Sequence, residues 1–590
     1  MPAQYVGGEI NIVRKDHRDV QGKLCLAFPD TYSIGMSHHG LQVLYSLINA
    51  REDWCCERAF TPWDDMEEQL RRTGVPLYSL ETFTPLSQFD VIGFSLQYEI
   101  GYTNVLTMLD LAGIPLRAED RTAEHPLIIA GGPCTQNPEP LAPFIDLFVT
   151  GDGEPCLPSI CDEWLKLKRS LGNASLSPAA GRQAREEMLH RLATTHSVAY
   201  VPRFYEPEYR DGRLVKLTPT RPDIPSTIEP SVIKSLEAIP LPTRPVVPYT
   251  ECVHDRIAIE IMRGCPWQCR FCQSTVIKRP LRIREVETIV QAALESYRNT
   301  GFNEVSLLSL STSDYPHFEQ LMARMQEVFV PLGVTVAVPS LRVNEQLKTL
   351  APLLVGTRRR RGLTLAPEVA RDDMREQIRK KIKNEDLYEG CREAFRHGYN
   401  HVKLYFMCGL PGERPVDLDG IVEMAETIAS IGKEVTGRSI KVTASVSNFV
   451  PKAHTPYQWN GMQRADYLTW AHDYLHGRRR MKSVSIKCHD TQTSLLEGAL
   501  SRGDRRVADV IQLAWQRGAR LDSWSERFNS KRWWDAFADQ GLDVDLLVHG
   551  AYKLDDKLPW DHVNVKKGRE YLEKEQQRSV VQLDKMAQAV

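Results

Sequence analysis

Residues 263–273 read RGCPWQCRFCQ and place Cys265, Cys269 and Cys272 at gaps of three and two residues. The preceding stretch, RIAIEIM (256–262), is a run of β-branched and apolar residues of strand length, so the trio leaves the end of a buried strand. A structural zinc site takes four ligands, often as two close cysteine pairs, and no second pair lies nearby. An iron-sulfur cube held by three thiolates leaves one iron without a protein ligand, where a substrate or cofactor can bind.

Outward from the trio, five more strand candidates follow: EVSLLSL (304–310), VTVAVPSL (334–341), GLTLAP (362–367), HVKLYFMCGLPG (401–412) and IKVTASVSNFV (440–450). Each precedes a helix-like segment. Six such units over 251–490 predict a partial (β/α)6 barrel, whose chemistry belongs at the C-terminal mouth, where the trio lies.

Upstream, residues 1–168 form a separate α/β series. KLCLAF (23–28), DVIGFSL (90–96), PLIIAGG (126–132) and IDLFVTGDGE (145–154) read as strands, and SHHGLQVLYSLINA (37–50) as a helix. The alternation predicts a doubly wound parallel sheet with its ligand at the carboxyl strand ends, where PDTYSIG, SLQYE, GGPCTQNPEP and TGDGE stand. Residues 169–250 read as a linker: a polar helix, a hairpin signalled by Asp211-Gly212, and a Pro-rich run over 221–248. Residues 491–590 read as helical and Trp-rich.

At 590 residues, roughly three or four domains are expected. Lys+Arg 74 against Asp+Glu 76 leaves a net charge of -2, so no global field draws the chain to nucleic acid or anionic membrane, and stable DNA binding is not expected. MPAQYVGGEINIVRKD opens without a basic start and apolar core, and no long apolar run follows, so a cytoplasmic protein without a membrane partner is expected. Thirteen cysteines, scattered apart from the trio, suit a reducing compartment better than a disulfide framework.

The spacing C-x3-C-x-aromatic-C, with Phe271 before the last cysteine at the end of a first barrel strand, resembles the radical S-adenosylmethionine (SAM) enzymes. The resemblance implies a 4Fe-4S cluster on Cys265, Cys269 and Cys272, with SAM chelated to the open iron and cleaved by one electron to methionine and a 5'-deoxyadenosyl radical. It also implies an electron donor of flavodoxin or ferredoxin type. Ser309, Ser311 and Thr312 then become candidates for the SAM amino group, although the usual glycine-rich version of that stretch is absent. Ser340 and Arg342 become candidates for the ribose or carboxylate end, and Glu368 for an ammonium or ribose hydroxyl. Gly409 and Gly412 would allow close approach of adenine.

The first series resembles the cobalamin-binding modules of flavodoxin-like fold, on Asp30, Tyr32 and Gly35 of the first motif, Ser95-Leu96 of the second and Gly131-Gly132 of the third. Tyr32 stands where those modules carry the cobalt-ligating histidine, and His38 and His39 read as surface or cap residues. The resemblance implies cobalamin as a third cofactor; a domain that has lost it is the alternative. With YVGGEIN, CGLPGE and SNFVPKAHTPYQW added, the chain looks most like a group of cobalamin-domain radical SAM proteins, which implies methyl transfer to, or a related radical modification of, an unidentified substrate.

Two other functions compete. SNFVPKAHTPYQW also looks like a segment of methylthiotransferases acting on tRNA or ribosomal protein, but the six N-terminal cysteines form no evident triad. A non-catalytic RNA- or ribosome-associated scaffold would use the basic runs at 357–361, 378–383 and 477–482 with Trp515, Trp524, Trp533, Trp534 and Trp560. Solvated charge and a packed helical core are the plainer reading of those features.

Overall fold

The computed structural model describes residues 1–172, 177–339 and 362–588. β1 (Gly22–Phe28), β2 (Trp54–Phe60), β3 (Val91–Ser95), β4 (Leu127–Gly131) and β5 (Leu147–Val149) run parallel, and β6 (Ala199–Tyr200) closes the sheet antiparallel to β5. The order β2-β1-β3-β4-β5-β6 contains the flavodoxin-like 2-1-3-4-5 arrangement, whose topological switch lies between β1 and β3. β1 and β2 are buried almost throughout, as strands covered on both faces must be.

The Asp211-Gly212 signal closes a hairpin of β7 (Tyr205–Arg210) and β8 (Arg213–Pro219), with φ of 50° and 75° at the two turn residues, the positive pair that a type I' turn requires.

β9 (Ile257–Glu260), β12 (Glu304–Leu308) and β13 (Thr335–Ala337) form one parallel sheet. β14 (Leu363–Glu368), β15 (His401–Cys408), β16 (Lys441–Asn448) and β17 (Val484–Cys488) form another. Between β9 and β12, the short antiparallel pair β10 (Met262–Arg263) and β11 (Arg282–Ile283) brackets the cysteine loop. β17 extends the series beyond the six expected strands; its alternation of buried Val484 and Ile486 is brief and follows a basic run, which hides it in the sequence.

No strand occurs among the described residues of 491–588. The helices Thr491–Arg502, Val507–Gln516 and Ser530–Asp539 share one hydrophobic core with both large sheets. Asn104 fixes part of this junction: its Nδ2 donates to Pro29 O at 2.9 Å and its Oδ1 accepts Leu521 N–H at 2.8 Å.

Candidate functional site

The cysteine loop is held from four sides. Trp267 Nε1 donates to Asp314 Oδ2 beyond β12 at 2.7 Å, and Arg279 Nη2 donates to Trp267 O at 2.8 Å. Arg270 N–H bonds Ile378 O at 3.0 Å, and Gln273 Nε2 bonds Ala453 O at 3.1 Å. Phe271 packs in a cluster with Val369, Met374, Ile378, Leu410, Phe449 and Tyr457. Cys265 and Cys269 are buried and Cys272 is half-buried. Burial, with the neighbouring thiols and Glu368 adding to it, pushes the Cys272 thiol up to about 12.

The trio offers three thiols from one loop as a donor set. A donor set of three thiolates fits a multi-iron cluster, with one sulfur on each of three irons.

Of the flanking candidates, Ser309 lines a cavity beside the loop, and its hydroxyl pairs with Thr312 Oγ1 at 2.9 Å. Ser311 and Thr312 are buried, and the Ser311 hydroxyl is held by Asp314, which sequence reasoning missed. Glu368 ends β14 at φ 68° beside a register shift, and Lys380 pairs with it at 3.1 Å. Ser340 and Arg342 lie outside the described residues.

Gly409 and Gly412 have positive φ, but protein covers both: a Cβ would meet Leu468 at 3.0 Å on Gly409 and Leu583 at 2.2 Å on Gly412. The helices Ala465–Arg478 and Gly568–Gln588 thus pack on the Cβ side of these two glycines.

The cavity, about 480 Å³, lies between the N-terminal sheet and the barrel. Leu26 of β1, Gly93–Ser95 of β3 and Gly131-Gly132 at the end of β4 form one wall, at the topological switch, with Leu41, Val43 and Leu44 of the following helix. Met262, Arg263, Gly264, Ser274, Ile277 and Lys278, flanking the cysteines, form the other. Ser95, Gly131 and Gly132 thus meet there, as does TGDGE through Gly151, Asp152, Gly153 and Glu154.

Leu96 contributes from behind: its N–H bonds Gly131 O at 2.7 Å. The Asp30 motif does not reach the cavity wall. Asp30 accepts from Trp524 Nε1 and Ser523 Oγ, each at 3.0 Å, Tyr32 donates to the buried Glu9 at 3.1 Å, and Gly35 sits against Phe60. His38 and His39 are in the wall instead. His38 caps its helix, accepting Leu41 N–H at 3.1 Å, and burial pushes its imidazole down to about 4.

An ion network joins the two walls. Arg263 reaches Asp152 at 2.9 Å, Glu154 at 2.7 Å and Glu260 at 2.8 Å, and Arg282 takes the other Asp152 oxygen at 2.5 Å. Burial opposes ionisation of Asp152, but the two arginines outweigh it and hold its carboxyl below the usual range. Lys278 stands beside this network, and burial pushes its ammonium below the ordinary value.

Residues 40–202 match the family model described as radical SAM proteins, N-terminal, and residues 259–425 match that of the radical SAM superfamily. The chain carries a radical SAM domain. It is an enzyme of the radical SAM kind, and its cofactors include a 4Fe-4S cluster and SAM.

A relative from Methanocaldococcus jannaschii, the uncharacterized protein MJ0966, is 25% identical over 474 residues, 79% of this chain and 91% of its own. Two solved structures show likeness to this chain. The radical SAM methyltransferase TsrM from Kitasatospora setae, with tryptophan and a SAM analog bound, is 14% identical over 72% of each chain, with a TM-score of 0.45. The cobalamin-dependent SAM radical enzyme OxsB with aqua-cobalamin is 12% identical over 96% of this chain and 80% of its own, also with a TM-score of 0.45.

Outside the radical SAM domain, Cys25, Cys56 and Cys161 pack fully buried as small apolar side chains, their thiols pushed up by burial. At β2, His17, Cys55 and Glu57 bring ligand atoms within 4.8 Å of one another, but His17 at 2.6 Å and the Ser79 and Thr82 hydroxyls already hold Glu57.

Of the basic runs, 357–361 lies outside the described residues. Arg379 and Lys380 pair with Glu575 and Glu368, and Arg478 with Asp419. Trp533 and Trp560 are buried, and the indole nitrogens of Trp515, Trp524 and Trp534 bond Thr107, Asp30 and Gln492, so these rings serve packing. No described helix is long and apolar enough to cross a membrane.

Proposed function

We propose that this radical SAM enzyme transfers a methyl group to an unidentified substrate, with cobalamin held in the cavity between the N-terminal sheet and the barrel. The observation that carries this reading is the shared cavity: one wall is the switch point of a flavodoxin-like sheet, the other flanks the three cysteines. The apolar inner wall of Leu26, Leu41, Leu44, Phe94 and Ile129 suits the apolar body of a large cofactor, and the rim of Ser95, Gln97, Ser309 and Lys278 offers donors to amide or anionic oxygens.

When bound, the cluster with SAM supplies one-electron cleavage of a sulfonium, and cobalamin supplies methyl carriage. The chain's part is positional. Trp267 and Asp314 hold the cysteine loop against β12, and Arg263 locks that loop to Asp152 and Glu154 of the N-terminal part. Ser309 and Glu368 present polar atoms on either side of the loop for SAM, and the packing around Phe271 excludes water.

The test is anaerobic reconstitution with iron and sulfide, then SAM and dithionite with or without hydroxocobalamin, beside a Cys265→Ala/Cys269→Ala/Cys272→Ala control. 5'-Deoxyadenosine from the wild type alone supports cleavage at the trio. S-adenosylhomocysteine formed only with cobalamin supports methyl transfer. A cobalamin-loaded wild type that yields 5'-deoxyadenosine but no S-adenosylhomocysteine counts against it.

A further inference from the structure

The C-terminal helix Gly568–Gln588 reaches back onto the cysteine loop through one buried carboxylate. Arg270 stands between Cys269 and Phe271 and is 4% exposed; its Nε meets Glu575 Oε2 at 3.4 Å, 305 residues further along the chain. The same carboxylate, 1% exposed, pairs with Arg379 at 2.7 Å and Arg578 at 2.7 Å. Arg270 Nη1 also donates to Gln377 O at 2.7 Å and Gln582 Oε1 at 3.1 Å, and Tyr571 donates to Gln268 at 3.1 Å.

A buried ion pair is poor value as a stability device, because desolvation of both partners offsets their attraction. Its consequences here are different. The guanidinium belongs to the loop that carries the thiolates, so the carboxylate fixes where that loop stands. In a low-dielectric interior, a charge paired with a residue of the cysteine loop also acts on any electron added to a cluster held there, whose potential follows local net charge and hydrogen bonding.

We infer that Glu575 is a positioning residue of the cluster site, which orients the cysteine loop through Arg270 and supplies negative charge that keeps the cluster's reduction potential low. The inference rests on a cluster at the trio and stands apart from cobalamin or methyl transfer.

The experiment is a redox titration of the reconstituted full-length protein, followed by the electron paramagnetic resonance signal of the reduced cluster, with iron counted per chain. The variants are Glu575→Gln, Glu575→Asp and Arg270→Gln, with Leu583→Ala as a packing control on the same helix. Glu575→Gln is expected to shift the midpoint potential up, Arg270→Gln to shift it down, and Glu575→Asp to restore the wild-type value. Loosening of the helix alone cannot produce shifts of opposite sign.

Loss of iron from Glu575→Gln, with Glu575→Asp and Leu583→Ala still loaded, also supports the carboxylate's role. The inference is overturned if a loaded Glu575→Gln keeps the wild-type potential, if both charge variants shift the same way, or if Leu583→Ala loses iron as Glu575→Gln does. A wild type that takes up no cluster at the trio overturns it together with the reading of the trio itself.

Discussion

Trp267 Nε1 donates to Asp314 Oδ2 at 2.7 Å, and this bond ties the cysteine loop to the end of β12. Trp267→Phe keeps an aromatic ring and removes the bond. A hydrogen bond to a charged group contributes about 1.5–3 kcal/mol, so SAM binding is expected to weaken by roughly tenfold or more while iron content stays constant. Equilibrium binding of SAM to the reconstituted variant measures this. Wild-type affinity would remove the β12 end from the SAM site.

Arg263 answers three carboxylates, Asp152, Glu154 and Glu260, with its side chain 13% exposed. Arg263→Met leaves those acids buried with Arg282 as the remaining partner of Asp152. Removing one member of a buried ionic network costs about 3–5 kcal/mol, so the urea midpoint should fall well below that of the wild type. A variant as stable as the wild type would mean that water enters this junction freely enough to replace the guanidinium.

The trio, the switch-point sheet and the TGDGE wall were legible in the sequence because each depends on near neighbours: cysteine spacing, strand periodicity, and turn residues at strand ends. What escaped depends on distant chain. PDTYSIG has the length and place of a cofactor motif, yet Tyr32 turns to Glu9 and Asp30 to Trp524, contacts that no local pattern announces. Gly412 has the same positive φ whether a ligand or Leu583 lies over it. Arg270 likewise read as an ordinary residue between two cysteines, because its partner Glu575 comes from the last helix.

Gly131 and Gly132 end β4 side by side but have opposite surroundings. A Cβ on Gly132, at φ 105°, would meet Leu96 O at 2.5 Å, whereas one on Gly131 would find nothing within 4 Å. Gly132→Ala should therefore lose about 1–3 kcal/mol of stability through backbone strain and the clash. Gly131→Val should fold normally but narrow the cavity, with cobalamin no longer retained through gel filtration as judged by absorbance. Normal retention in Gly131→Val would move the cofactor away from the β4 end.

Glu413 accepts Gly409 N–H at 2.8 Å and the Tyr467 hydroxyl at 2.7 Å, and no cation pairs with it among the described residues. Burial pushes its carboxyl up to about 7, against the pull of those two donors and with a small upward push from Asp417. The folded value lies above the unfolded one, so folding favours the protonated acid. Its stabilising contribution is full below the unfolded value of about 4.3 and is lost as pH rises through about 7. The wild type should lose at most about 3 kcal/mol from this group between pH 5 and pH 8, and Glu413→Gln, which cannot ionise, should flatten that fall. Urea midpoints at pH 5, 6, 7 and 8 check the sign: the variant should gain on the wild type as pH rises. Parallel profiles would assign the pH dependence to other groups and leave Glu413 as a hydrogen-bond acceptor for the turn after β15.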